Sequence, residues 1–255
     1  MDMISEFPLF AFTTLGGLAA GAYVVGAFFP SAVREAKRPW LFPLVCIVLL
    51  GAGLLGVLGH LGRPERFLFA LSNPSSMIAE EAYWSLAFGV LMLVDLALLA
   101  RKGEGPRAVG VLGAVAALGL VCIMGNAYFT AYGNPVWAAW PTLALFVLGD
   151  VAMGAALFGL FGGERYRTGA FTIVSAVLAA LAAAGMIAVA ARFAGFSLEV
   201  APFVVGAVLA LAGAACALLA RKGRLSERPA AIAVLACLVV GVAVARYAFY
   251  AASIL

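Results

Sequence analysis

Eight apolar runs of roughly twenty residues, each closed off by charge, proline or glycine, constrain this chain more than any other feature. They cover about 8 to 30, 39 to 59, 81 to 100, 107 to 130, 137 to 161, 169 to 191, 200 to 220 and 229 to 251. A helix of that length crosses the hydrocarbon of a bilayer and satisfies its own backbone hydrogen bonds on the way. No soluble core could hide so much apolar surface: 65% of the residues are hydrophobic and only 11% charged, against about a quarter charged in a water-soluble domain. The expectation is one integral membrane domain spanning 1–255, all-α, with eight transmembrane helices. Pro8, Pro39, Pro106, Pro202 and Pro229 stand where helices should start, because the first turn makes no use of the missing N–H.

The charges supply the orientation. There are 16 Lys and Arg against 12 Asp and Glu. In a soluble protein that excess would suggest nucleic acid, but here it sits in alternate short loops and reads as a topology signal. The connections after spans 1, 3, 5 and 7 hold Arg34, Lys37, Arg38, Arg101, Lys102, Arg107, Arg165, Arg167, Arg221, Lys222, Arg224 and Arg228, twelve of the 16 cations. These loops should face the cytoplasm, and both termini should face outward. Tyr83, Trp84, Tyr132, Trp137, Trp140, Tyr247 and Tyr250 fall near the outward ends, where an interfacial aromatic belt belongs. Asp2 and Glu6 precede the first run with no basic segment or small-residue cleavage site, so no cleavable leader is expected.

A weak repeat appears at an offset of 120 residues. Leu98-Leu99-Ala100-Arg101-Lys102-Gly103 closes span 3, and Leu218-Leu219-Ala220-Arg221-Lys222-Gly223 closes span 7. An even number of spans separates the copies, so the expectation is two parallel four-helix bundles, with halves 1–133 and 134–255. Small residues at Gly17 and Gly21, and at Gly51, Gly53, Gly56 and Gly59, predict close helix contacts within each half.

Chemistry-bearing residues are few. The one histidine, His60, ends span 2 and opens the most polar outward stretch, which also holds Arg63, Glu65, Arg66, Glu80 and Glu81. An imidazole there can cap a helix end, or it can accept a proton that a carboxylate then passes to water. Quinol oxidation releases two protons with its two electrons, so a His and carboxylate at a membrane surface suit it. A single histidine excludes a bis-histidine haem held by this chain alone. Cys46, Cys122, Cys216 and Cys237 stand singly in apolar runs, without the paired spacing of a zinc or iron–sulfur site, so no metal ligands are expected. Four charges lie at membrane depth, each costing about 2.5 to 3.5 kcal/mol near the centre on insertion scales. Asp95 and Asp150 could lie on a proton or ion path or be structurally paired, whereas Arg192 and Arg246 lie nearer the outer ends and could snorkel.

The opening Glu6 to Val25, EFPLFAFTTLGGLAAGAYVV, and His60-Leu61-Gly62-Arg63-Pro64 followed by Arg66 resemble the membrane anchor subunits of the dimethyl sulfoxide reductase family. Those of the polysulfide and nitrite reductases are more distant. Pro135-Val136-Trp137 and Arg246-Tyr247-Ala248-Phe249-Tyr250 are similar to later family segments, so the resemblance runs over nearly the whole chain.

That resemblance implies a bacterial or archaeal plasma membrane and anaerobic respiratory electron transport, with menaquinol as bound substrate. It implies a four-cluster iron–sulfur subunit and a molybdopterin catalytic subunit as partners, and no cofactor held permanently in this chain. His60 and Glu81 would line the menaquinol site, with Arg63, Pro64, Arg66 and Glu80 binding quinol or positioning the loop. Glu80 beside Glu81 leaves the choice of acidic partner open, and the connection after span 6 is short for the family. The competing expectations are a secondary transporter using Asp95 and Asp150, and a passive anchor without a quinone site.

Overall fold

The computed structural model describes residues 6–30, 37–60, 69, 71–161 and 165–252. Eight long helices account for most of them: α1 (Phe7–Phe28), α2 (Leu41–His60), α3 (Met77–Lys102), α4 (Arg107–Phe129), α5 (Trp140–Phe158), α6 (Gly169–Ala194), α7 (Ala201–Arg221) and α8 (Glu227–Ala251). A single 3-10 turn, Arg165–Arg167, precedes α6, and no strand occurs among the described residues. All eight helices are long and apolar enough to cross a bilayer.

Local chemistry sets the helix ends. Pro8, Pro141 and Pro202 occupy the first two positions of α1, α5 and α7. Ser76 caps α3, its Oγ accepting from the Ala79 N–H at 3.2 Å. That cap starts α3 four residues earlier than the hydropathy implies, so Glu80 and Glu81 ride on the helix. Gly103 and Gly223, the last residues of the two Leu-Leu-Ala-Arg-Lys-Gly copies, both take left-handed conformations, with φ of 71° and 69°. Each ends its helix as only glycine does without strain.

The helices pack as two rings. α1 lies on α2, α2 on α3, α3 on α4, and α4 returns to α1. Likewise α5 lies on α6, α6 on α7, α7 on α8, and α8 returns to α5. The rings join chiefly where α1 meets α5, so these two helices are the innermost: 67% of each apolar window is buried, against 28% for α2 and 22% for α3. Leu55, Leu86, Val115, Val177 and Val208 lie exposed on the outer helices, a girdle that only lipid covers without cost.

Glycine makes the seam possible. A Cβ on Gly21 would stand 1.9 Å from the Asp150 carbonyl oxygen, and one on Gly154 would stand 2.0 Å from the Gly21 carbonyl carbon. Backbone therefore touches backbone, as helix pairs in lipid require when no hydrophobic force draws them together. This corrects the expectation that Gly17 and Gly21 serve contacts within one half: they seat α5 of the other half.

Thr13 near the start of α1 touches Tyr250 near the end of α8, so the start of α1 and the end of α8 lie at one end of the bundle, called here the terminal end. At the opposite, basic end Phe29 meets Phe171 at 5.3 Å and Phe42 meets Phe158 at 5.5 Å.

Candidate functional site

At the terminal end, α3 sets the azimuth of its two carboxylates. Ser85 and Phe88, four and seven residues beyond Glu81, are buried, and helical spacing places Glu81 on their inward stripe. Glu80 shares its face with exposed Trp84 and Ala87 and sits in the first turn, where a carboxylate complements the helix dipole. Glu81 lies near enough to Tyr128 and Tyr250 to interact with both electrostatically. The Tyr83 hydroxyl donates to the Leu71 carbonyl at 2.6 Å, tying the segment before α3 back onto it. His60 is the last residue of α2. Its side chain, with Arg63, Pro64 and Arg66, lies outside the described residues.

Inside the same end, Tyr128, Tyr250 and Thr13 form a buried polar core among aromatic rings. The Tyr250 hydroxyl hydrogen-bonds Tyr128 at 2.8 Å and Thr13 at 3.1 Å. Tyr128 stacks on Phe146 at 5.1 Å and meets Trp137 and Phe249 edge-on. Trp137 donates its indole N–H to the Phe249 carbonyl at 3.0 Å, and Asn134 donates to the Ala252 carbonyl at 3.2 Å. Arg192 reaches the Pro135 carbonyl at 2.6 Å, so the connection between α4 and α5 is fastened to both α8 and α6. Tyr250 is therefore no belt residue: it is 2% exposed and points into the bundle, and Trp137 packs beside it, whereas Tyr132 and Trp140 keep the exposure that a belt needs.

One helical turn deeper lies an ion pair. Arg246 donates to Asp150 at 2.5 Å, to the Phe146 carbonyl at 3.3 Å and to the Thr13 carbonyl, with its guanidinium 4.6 Å from the centre of the Phe146 ring. Neither side chain has any exposure. The expectation that Arg246 snorkels outward is overturned. It turns inward because the carboxylate and two carbonyls at the α1–α5–α8 junction together replace its hydration, which an unpaired charge at this depth could not do without.

Asp95 belongs elsewhere. Its carboxylate accepts from the Tyr23 hydroxyl at 3.1 Å and lines a cavity of about 60 Å³ with Phe42, Leu99 and Arg107 at the basic end. Fourteen residues of α3 separate it from Glu81, about 21 Å at helical rise, and Phe88 and Met92, both 0% exposed, fill the interval. The fold thus brings Glu81 toward Tyr128 and Tyr250, joins Asp150 to Arg246, and leaves Asp95 apart from both. Among the described residues, no three His, Cys, Asp or Glu side chains gather as a metal site would need.

Sequence reasoning missed Thr13, Tyr128 and Tyr250 as a group. The only hint was that Tyr128 and Tyr250 each stand at the outward end of a span, one residue before the last of its helix, with no signal for which way either ring points.

Eight apolar helices around a glycine seam, with polar groups gathered toward one end, define a polytopic helical membrane protein. The chain matches the family described as DMSO reductase anchor subunit (DmsC) over residues 1–251 and belongs to that family. It is accordingly the membrane anchor of a DMSO reductase-type oxidoreductase of anaerobic respiratory electron transport, a complex that also includes catalytic and iron–sulfur subunits. No curated protein sequence matches it.

Proposed function

We propose that this anchor oxidises menaquinol near the outer face of a bacterial or archaeal plasma membrane. It passes the electrons to a four-cluster iron–sulfur subunit that serves a molybdopterin catalytic subunit. The observation that carries the reading is Glu81: an acidic group at the terminal end of α3, on the same stripe as buried Ser85 and Phe88. A carboxylate so placed is suited to receive a proton released at a membrane surface. His60, one residue before the signature Leu61-Gly62-Arg63-Pro64, takes the first proton from a quinol hydroxyl, and Glu81 relays it outward. Glu80, on the other face, favours the start of α3. Arg63, Pro64 and Arg66 shape the loop or meet the partner.

The quinol gives up two electrons and two protons and becomes a quinone. Because this chain has only one histidine and no paired cysteines, the electron acceptor belongs to the partner, close to the terminal end. Two results are expected. Purification through a tag on this chain brings down a partner with iron–sulfur absorbance, and a reporter fused at Leu255 is active only in a form that works on the exported side. Purification of the chain without any cluster protein, or a reporter active in the cytoplasm, would contradict the reading.

A further inference from the structure

At the basic end, the four helices of the first ring leave a cavity of about 60 Å³ between them, room for about four water-sized atoms. Two side chains of opposite charge line it, Asp95 of α3 and Arg107 of α4, and most of the remaining wall is apolar or glycine. Phe88 and Met92, both 0% exposed, close it off from the terminal end, so the proposed quinol chemistry makes no use of it.

The acidic side is held by aromatic packing. Tyr23 is 3% exposed, stacks on Phe42 at 5.0 Å and meets Phe88 edge-on at 5.2 Å. That packing fixes its hydroxyl where it donates to Asp95 Oδ2 at 3.1 Å. The turn after α3 comes back over the same carboxylate, so that a Cβ on Gly105 would stand 3.4 Å from Asp95 Oδ1. A carboxylate accepts about four hydrogen bonds, and Asp95 can therefore take an ammonium alongside Tyr23. On the other side, Arg107 begins α4, is exposed, and makes no ion pair among the described residues. The helix dipoles run the same way: the negative end of α1 borders the cavity through Gly26 and Ala27, and the positive end of α4 through Arg107. Beyond the rim, Val111 and Val115, one turn apart on α4, are 42% and 57% exposed, an apolar track that leads into the bilayer.

A matching ligand carries an ammonium, an anion and an apolar chain in that order. We propose that this cavity binds one phosphatidylethanolamine of the leaflet at the basic end. Its primary ammonium turns inward onto Asp95, its phosphodiester meets Arg107, and an acyl chain lies along Val111 and Val115. The ethanolammonium arm is narrow enough for the space, and its N–H groups supply the donors that a carboxylate needs. A choline head has no N–H to give Asp95, and its methyl groups overfill the cavity. A glycerol head brings no cation and leaves its phosphate facing Asp95 uncompensated. A bare metal cation would sit beside the like charge of Arg107.

The test uses the purified complex, stripped of lipid in detergent and then given defined lipids, with retained lipid measured by mass spectrometry and the thermal midpoint followed alongside. Phosphatidylethanolamine is expected to bind at least about tenfold more tightly than phosphatidylcholine or phosphatidylglycerol, the difference one hydrogen bond to a charged group makes, and to raise the midpoint. Asp95→Asn should erase that preference. Gly110→Leu should erase it too, because it fills the cavity from a position where an added Cβ meets nothing within 4 Å. Arg221→Gln, at the basic end of the other ring, should keep it. Dye-linked turnover of the catalytic partner reports assembly, and Gly110→Leu, which keeps both charges, decides the matter if the change at Asp95 disturbs it. Equal retention of the three lipids, or a preference that survives in Gly110→Leu or in an assembled Asp95→Asn complex, overturns the proposal. So does displacement of the lipid by an equal concentration of soluble phosphoethanolamine, which would assign the cavity to a free zwitterion. A midpoint raised as far by sodium or potassium alone would make it a cation site and overturn the proposal as well.

Discussion

His60→Ala, in the assembled complex, is expected to slow menaquinol-driven turnover by about a hundredfold to ten-thousandfold, the usual consequence of losing a positioned proton acceptor. Glu81→Gln should do nearly as much, because the amide keeps the shape of the carboxyl but takes up no proton. Both variants should assemble, and both should leave dye-linked reduction by the catalytic partner intact, since those electrons bypass the quinol. His60 is the only histidine of the chain and closes α2, and Glu81 occupies the inward stripe of α3 with Ser85 and Phe88. The corresponding change at Glu80, which shares a face with exposed Trp84, should cost far less. A His60→Ala complex that oxidises the menaquinol analogue at the wild-type rate would exclude His60 as the acceptor and return the chain to a passive anchor or to a site elsewhere.

The second large effect concerns stability. Asp150→Asn leaves Arg246 charged at 0% exposure with only carbonyls and a ring for company. Breaking one side of a buried pair typically costs about 3 to 5 kcal/mol. Because the pair sits where α1, α5 and α8 converge, the loss should appear as a lower thermal midpoint in detergent and as less anchor retained in the membrane. Arg246→Met should be comparably damaging, as it strands the Asp150 carboxylate against Gly17. Combining Asp150→Asn with Arg246→Met removes both charges and should recover much of the loss, since neutral replacements of a buried pair can be close to neutral in stability. If either single variant melts with the wild type, the pair does not clamp the two rings. If the singles unfold and the double is worse than both, the carbonyl contacts of Arg246 carry the stability in place of the ion pair.

What could be read in the sequence was depth. Charge and proline placed all eight spans within a few residues of the observed helices, because the cost of burying an ion in hydrocarbon is steep along the membrane normal. Azimuth was hidden. In a water-soluble helix the polar face marks the outside, whereas here lipid and protein interior are both apolar and no stripe separates them. That is why Tyr250 reads as a belt residue and Arg246 as a snorkelling one, although both turn inward. Small residues were the one azimuthal signal. Gly17 and Gly21 did announce a close helix contact, and only the partner was misjudged, because nothing local says whether the neighbour lies in the same ring or the other. The extra turn at the start of α3 was legible in Ser76, three residues before the amide it caps, but the hydropathy of the run obscured it.

The central claim, that electrons enter the complex through this chain from menaquinol, is tested most directly by watching the clusters themselves. Anaerobic mixing of a reduced menaquinol analogue with the oxidised complex, followed by the absorbance and paramagnetic signals of the iron–sulfur subunit, gives the rate of cluster reduction. The account predicts rapid reduction when this anchor is present, and strong slowing when His60 is replaced or when the catalytic and iron–sulfur subunits are supplied without the anchor. Equal rates of cluster reduction with and without this chain would contradict it.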